Sequence, residues 1–203
     1  MVKLDKRLAA IKELVDEGMY FTINRARQYG KTTTLRALSQ YLQNDYRVVL
    51  MDFQTFDDAK FENGNVFSVS FASSFMRNLK ANSLAMSAKM EAVCTSLKES
   101  ASVQNSYFTL KELFEELSDI CGASDKPIVL MIDEVDSATN NQVFLDFLAQ
   151  LRAYYIDRDV QPTFQSVILA GVHDVKNLKR KIHPDAEKKV NSPWNIAVDL
   201  SWK

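Results

Sequence analysis

Three clusters in the 203-residue chain combine residue types that can act on a charged, oxygen-rich ligand. The first is Asn24-Arg25-Ala26-Arg27-Gln28-Tyr29-Gly30-Lys31-Thr32-Thr33-Thr34. Gly30 lets the backbone turn tightly, so that successive N–H groups face a phosphate. Lys31 brings a point charge, and Thr32 offers a hydroxyl to a hard divalent cation. A helix starting at Lys31 would aim its positive end at the same phosphates. The candidate phosphate-contacting residues are therefore Arg27, Gln28, Tyr29, Gly30, Lys31, Thr32 and Thr33. Arg25 reads as a solvated loop residue. Arg27 reads either that way or as a guanidinium for phosphate oxygens. The usual first glycine of such a loop falls at position 25, which is arginine here.

The second cluster is Asp133-Glu134-Val135-Asp136, at the end of an apolar run. Asp133 is placed to hold Mg2+ through its water shell, and Glu134 to orient or polarise an attacking water. The plainer alternative is an acidic group facing the positive end of a following helix. The third cluster is His173-Asp174, at the end of another apolar run. His173 is the candidate sensor of a terminal phosphate, and Asp174 is equally a good helix N-cap type.

These residues need a scaffold that brings them to one edge. Apolar, β-branched runs at 19–23, 47–53, 126–133 and 166–172 read as buried strands, and 196–200 as a fifth. Helical periodicity appears at 4–17, 31–42 and 141–155. Residues 68–98 read as one or two helices. Thr109 followed by Glu112 forms a capping box for a further helix, which Gly122 is expected to end. Continuous apolar strands alternating with helices predict an α/β fold, with a parallel sheet covered on both faces. The carboxyl edge of such a sheet is where ligands bind.

Composition narrows the classes further. Lys and Arg total 25 against 26 Asp and Glu, which argues against a nucleic-acid binder driven by bulk charge. The two cysteines, Cys94 and Cys121, exclude a disulfide scaffold and lead us to expect a reducing, cytoplasmic setting. The longest apolar run is far short of a membrane span. Only five glycines are present, where average usage gives about 14. Gly18, Gly122 and Gly171 read as punctuation between elements, Gly64 as a turn, and Gly30 as the one serving phosphates. The Lys-rich stretch 176–189 reads as a solvated loop rather than a nucleic-acid contact. Met76, Met86 and Met90 read as core rather than as a binding groove.

Together the segments Arg25-Ala26-Arg27-Gln28-Tyr29-Gly30-Lys31-Thr32, Asp133-Glu134-Val135-Asp136 and Ile168-Leu169-Ala170-Gly171-Val172-His173-Asp174-Val175 resemble the P-loop ATPases with an added catalytic glutamate. The resemblance is to the AAA-like or STAND-like branch of bacteria and archaea. Ser192-Pro193-Trp194-Asn195-Ile196-Ala197 is similar to the lead into that family's fifth strand. The likeness spans roughly residues 15–203. It implies a three-layer sandwich with strands ordered 5-1-4-3-2. Lys31 and Thr32 would contact ATP and Mg2+, Asp133 Mg2+, and Glu134 water.

The lid that the family carries is not recognisable, so residues 1–18 are expected to pack as a helix on a core of 19–203 cut from a longer protein. The lid's arginine would have to come from elsewhere, with Arg152 or Arg158 as candidates across a subunit interface, although both read more plainly as surface charge on an amphipathic helix. The expected activity is ATP hydrolysis to ADP as a regulatory switch or motor. The alternative is a nucleotide-binding interaction module with little turnover, and a small-molecule kinase is a third reading. Expected partners are ATP and ADP, with a second copy or a regulatory protein. Nucleic acid would enter only through further domains, and no membrane is expected.

Overall fold

The computed structural model describes residues 2–24, 31–81, 86–102, 106–171 and 198–201. Its strands are β1 (Phe21–Asn24), β2 (Arg47–Asp52), β3 (Ile128–Asp133), β4 (Ser166–Gly171) and β5 (Val198–Ser201). All are short, β2, β3 and β4 are mostly apolar, and successive side chains leave the sheet on opposite faces. In β3, Ile128, Leu130 and Ile132 enter one core while Val129 and Met131 enter another. In β4, Val167 and Leu169 join the first core, and Ile168 and Ala170 the second. Burial on both faces is why these strands read as unbroken apolar runs.

Among the described residues six helices supply the two outer layers: α1 (Val2–Asp16), α2 (Lys31–Leu42), α3 (Gly64–Ala81), α4 (Ala88–Ser100), α5 (Leu110–Ala123) and α6 (Gln142–Ile156). Leu8, Ile11 and Val15 of α1 and Leu35, Leu38 and Leu42 of α2 fill one core. Helices α3 to α6 fill the other, which is dominated by phenylalanine. Phe53 is at its centre, with its ring 4.7 Å from that of Phe56 and edge-on to those of Phe67, Phe71 and Phe144.

Every strand pair is parallel. β4 lies between β1 and β3, and β2 flanks β3, giving the expected order 1-4-3-2. β5 pairs with the free edge of β1. Parallel pairing puts Asn24, Asp52, Asp133 and Gly171 at one edge, with Asp52 level with Asp133 and Asn24 level with Gly171. The opposite edge is tied down separately. There Ser166 Oγ donates to the Met19 carbonyl, Gln165 Nε2 to the Val15 carbonyl, and Arg158 to the Gly18 carbonyl.

Several local expectations change. Of the one or two helices expected over 68–98, two are present, α3 and α4, the second capped by the Ser87 hydroxyl accepting from the Met90 N–H at 3.2 Å. Gly64 is not a turn residue. It opens α3, where the Asn63 side chain caps the Val66 N–H at 3.0 Å. Gly122 does not end α5, which runs to Ala123 with Ser124 as its cap. Gly18 does end α1, at φ 70°, a conformation that suits glycine. Met76, Met86 and Met90 all contact the phenylalanine-rich core, although Met76 also lines a groove between α3 and α4.

Candidate functional site

The carboxyl edge brings together two of the three clusters. Helix α2 begins at Lys31, as its spacing predicts, and Thr32 and Thr33 are exposed on its first turn. Thr32 Oγ1 donates to Asp133 Oδ2 at 2.7 Å, joining residues 101 apart in sequence. Asp133 is the last residue of β3 and only 3% exposed. Its other oxygen, Oδ1, accepts the Glu134 N–H at 2.9 Å. A buried carboxylate fixed at both oxygens, with a hydroxyl against it, is a pre-aligned set of hard oxygen donors. That donor set fits Mg2+. Among the described residues no group of three or more His, Cys, Asp or Glu side chains is placed to hold a metal ion. The pair thus suits an ion that keeps water and takes further oxygens from its ligand.

Glu134 leaves the strand in the left-handed region, at φ 55° and ψ 39°, the sole non-glycine residue at positive φ among those described. The turn is held from both sides. Ser137 Oγ donates to the Glu134 carbonyl at 2.9 Å and to the Phe53 carbonyl at 3.1 Å, which binds it to the turn after β2. The plainer reading of these acids, a cluster facing a helix dipole, does not fit. A single 3₁₀ turn, Val135–Ser137, follows Glu134, and α6 starts only at Gln142 with no acid in its first turn. The end of β4 comes close to this turn. A Cβ added to Gly171 would meet Asp136 Oδ2 at 2.9 Å and Val135 Cγ2 at 3.0 Å, so both side chains would have to shift to admit it.

A cavity of about 320 Å³ adjoins the Thr32–Asp133 pair. It is bounded by α2, the tip of β2 and α3, and Arg36, Asp52, Arg77 and Asn78 are among its lining residues. None of these four stood out in the sequence. A signal was present in Asp52, which ends an apolar strand as Asp133 does. Arg36 and Arg77 sit on amphipathic helices among ordinary surface charges, and nothing in the sequence sets them apart.

Arg27, Gln28, Tyr29, Gly30, His173 and Asp174 lie outside the described residues, as does the stretch 176–189. Lys31 is described only as the first residue of α2. Arg152 and Arg158, the candidates to act across a subunit interface, have their own surroundings in this chain. Arg158 donates to the Gly18 carbonyl at 2.9 Å and lies over the Tyr155 ring, at the opposite edge of the sheet. Arg152 is half-buried, with its Nε enclosed. The cysteines take no part. Cys94 is buried and Cys121 half-buried, and desolvation pushes both thiols up, which keeps them protonated.

Residues 3–200 match the AAA-like domain family, nearly the whole chain. Among curated proteins none matches.

Proposed function

Because the chain belongs to the AAA-like domain family, a class of nucleotide-binding ATPases, we propose that it binds Mg-ATP at the carboxyl edge of its sheet and hydrolyses it to ADP and phosphate. The observation that carries this reading is the 2.7 Å hydrogen bond from Thr32 to the buried Asp133. It joins the start of α2 to the tip of β3 and leaves hard oxygens together where the sheet edge accepts a ligand.

In this reading the start of α2 directs its amide groups, with Lys31, at the phosphates. Gly30, Gln28 and Tyr29 complete the loop around them, Thr33 adds an amide or hydroxyl, and Arg27 adds charge. Thr32 and Asp133 hold Mg2+, which when bound shields phosphate charge during transfer. Glu134 orients the attacking water and takes its proton. Its constrained backbone fixes where that carboxylate starts from. His173, two residues past β4, senses the terminal phosphate. The chain works as a regulatory switch or motor, with STAND-like logic, as part of a larger assembly or a longer protein.

The test is ATP turnover of wild type, Lys31→Ala and Glu134→Gln, with binding read by calorimetry. Glu134→Gln should keep binding and lose turnover by about 10² or more. Lys31→Ala should lose both. Equal turnover in all three refutes the reading, and tight binding with no turnover in wild type leaves a nucleotide-binding module. Saturating nucleotide should also stabilise the fold, by about 2.7 kcal/mol at 100 times its Kd.

A further inference from the structure

The cavity beside the Thr32–Asp133 pair extends well past what the pair needs. Arg36 lies one turn beyond Thr32 on α2, about 6 Å further from the helix start that serves the phosphates. Arg77 lines the cavity from α3. Neither guanidinium has a hydrogen-bond or ion-pair partner among the described residues, although Asp52 and Asp133 line the same space.

The acceptors are only partly used. Asp52 Oδ1 accepts the Gln54 N–H at 2.8 Å, leaving Oδ2 available. Asn78 Nδ2 donates to the Ser74 carbonyl at 2.9 Å, leaving its Oδ1. Leu50 and Phe56 add apolar surface. Unpaired guanidinium groups suit carboxylate or phosphate, which they can hold through paired N–H donors. Free carboxylate and amide oxygens suit a hydroxyl or amine. At about 320 Å³ the space has the size of a small-metabolite site.

We propose that this cavity is a second ligand site, beside the Thr32–Asp133 pair. Its ligand is a small molecule carrying a carboxylate or phosphate together with a hydroxyl or amine. Arg36 and Arg77 hold the anionic group, and Asp52 and Asn78 accept from the donor group. The site goes beyond the nucleotide reading. Only the coupling of the two sites, through the shared Thr32 and Asp133, rests on that reading.

The experiment titrates the full chain by calorimetry, with and without Mg-ADP, against citrate, malate, glutamate, phosphoserine and glucose 6-phosphate. At least one should bind wild type. Arg36→Ala and Arg77→Ala should each weaken that binding about tenfold or more, with partial rescue by lysine. Mg-ADP affinity in these variants should stay within about twofold of wild type. Lys31→Ala should keep the anion and lose Mg-ADP. If no compound binds wild type below a Kd of about 10 mM, the proposal is overturned. It is equally overturned if binding ignores both arginine substitutions, or if it disappears in Lys31→Ala. Wild type that binds the anion but not Mg-ADP would instead reject the nucleotide reading and leave this site standing.

Discussion

Glu134 shows how much the turn after β3 is asked to hold. A non-glycine residue in the left-handed region costs about 1–2 kcal/mol. The cost is offset by Asp133 accepting the Glu134 N–H, by Ser137 capping its carbonyl, and by Val135 packing fully buried beneath it. Gly171 then closes on Asp136 and Val135 with no room for a methyl group. Gly171→Ala must therefore shift the Asp136 and Val135 side chains, and overpacking of this kind costs about 1–3 kcal/mol. We expect a lower urea midpoint and, with Glu134 in its proposed role next to Val135, reduced ATP turnover. A variant matching wild type in both would show that the turn yields freely.

At the scale of elements, α5 is set by its own first turn. The Thr109 N–H donates to Glu112 Oε2 at 2.8 Å and the Thr109 side-chain oxygen accepts the Glu112 N–H, which together make the capping box, and the Thr109 hydroxyl also donates to Glu112 Oε2 at 2.6 Å. The hydroxyl bond holds the Glu112 carboxyl below its ordinary range, and the Thr109 N–H bond adds to it. Thr109→Ala should lose about 1 kcal/mol of stability. It should also return the Glu112 titration toward its ordinary value, readable by NMR. An unshifted Glu112 would mean that the threonine hydroxyl is idle. The capping box was legible because its partners are three residues apart. The split of 68–98 into α3 and α4 was not, since the Ala, Ser and Met there suit helix throughout. Ser87 becomes a cap only once α4 packs Met90, Cys94 and Leu97 into the core.

Across the whole molecule, carboxylates that pair in the native state contribute to its acid limit. Asp16 is held low by bonds from Lys12 and Tyr46. Burial opposes ionisation of Asp125, but its bonds to Arg47 outweigh that and hold it low as well. With Glu112 this makes three groups whose folded pKa lies below the unfolded value of about 4. Their contribution is complete above the unfolded pKa and is lost as pH falls through the folded one. The urea midpoint should therefore hold from about pH 5 to 8 and decline below about pH 4. A midpoint that rose on acidification would contradict this. At the alkaline end, burial and donation to Asp16 push Tyr46 up to about 12. Its contribution is present below the ordinary tyrosine value and fades as pH rises through the folded one.

The sequence by itself determined most of the elements and named the candidate residues at their ends. Apolar runs of strand length fixed the strands, helical spacing fixed α2 and α5, and the short-range patterns around Lys31-Thr32 and Asp133-Glu134 named the residues. All of these depend on neighbours a few positions apart. Tertiary structure decided what depends on long-range register. Parallel pairing set Asp52 level with Asp133, and packing of α2 over β3 brought Thr32 onto a carboxylate 101 residues away. The same packing carried Arg158 to the far edge and left Arg36 and Arg77 facing one cavity. No local pattern marks those arginines, because their meaning comes from the wall each helix presents after the sheet has ordered itself.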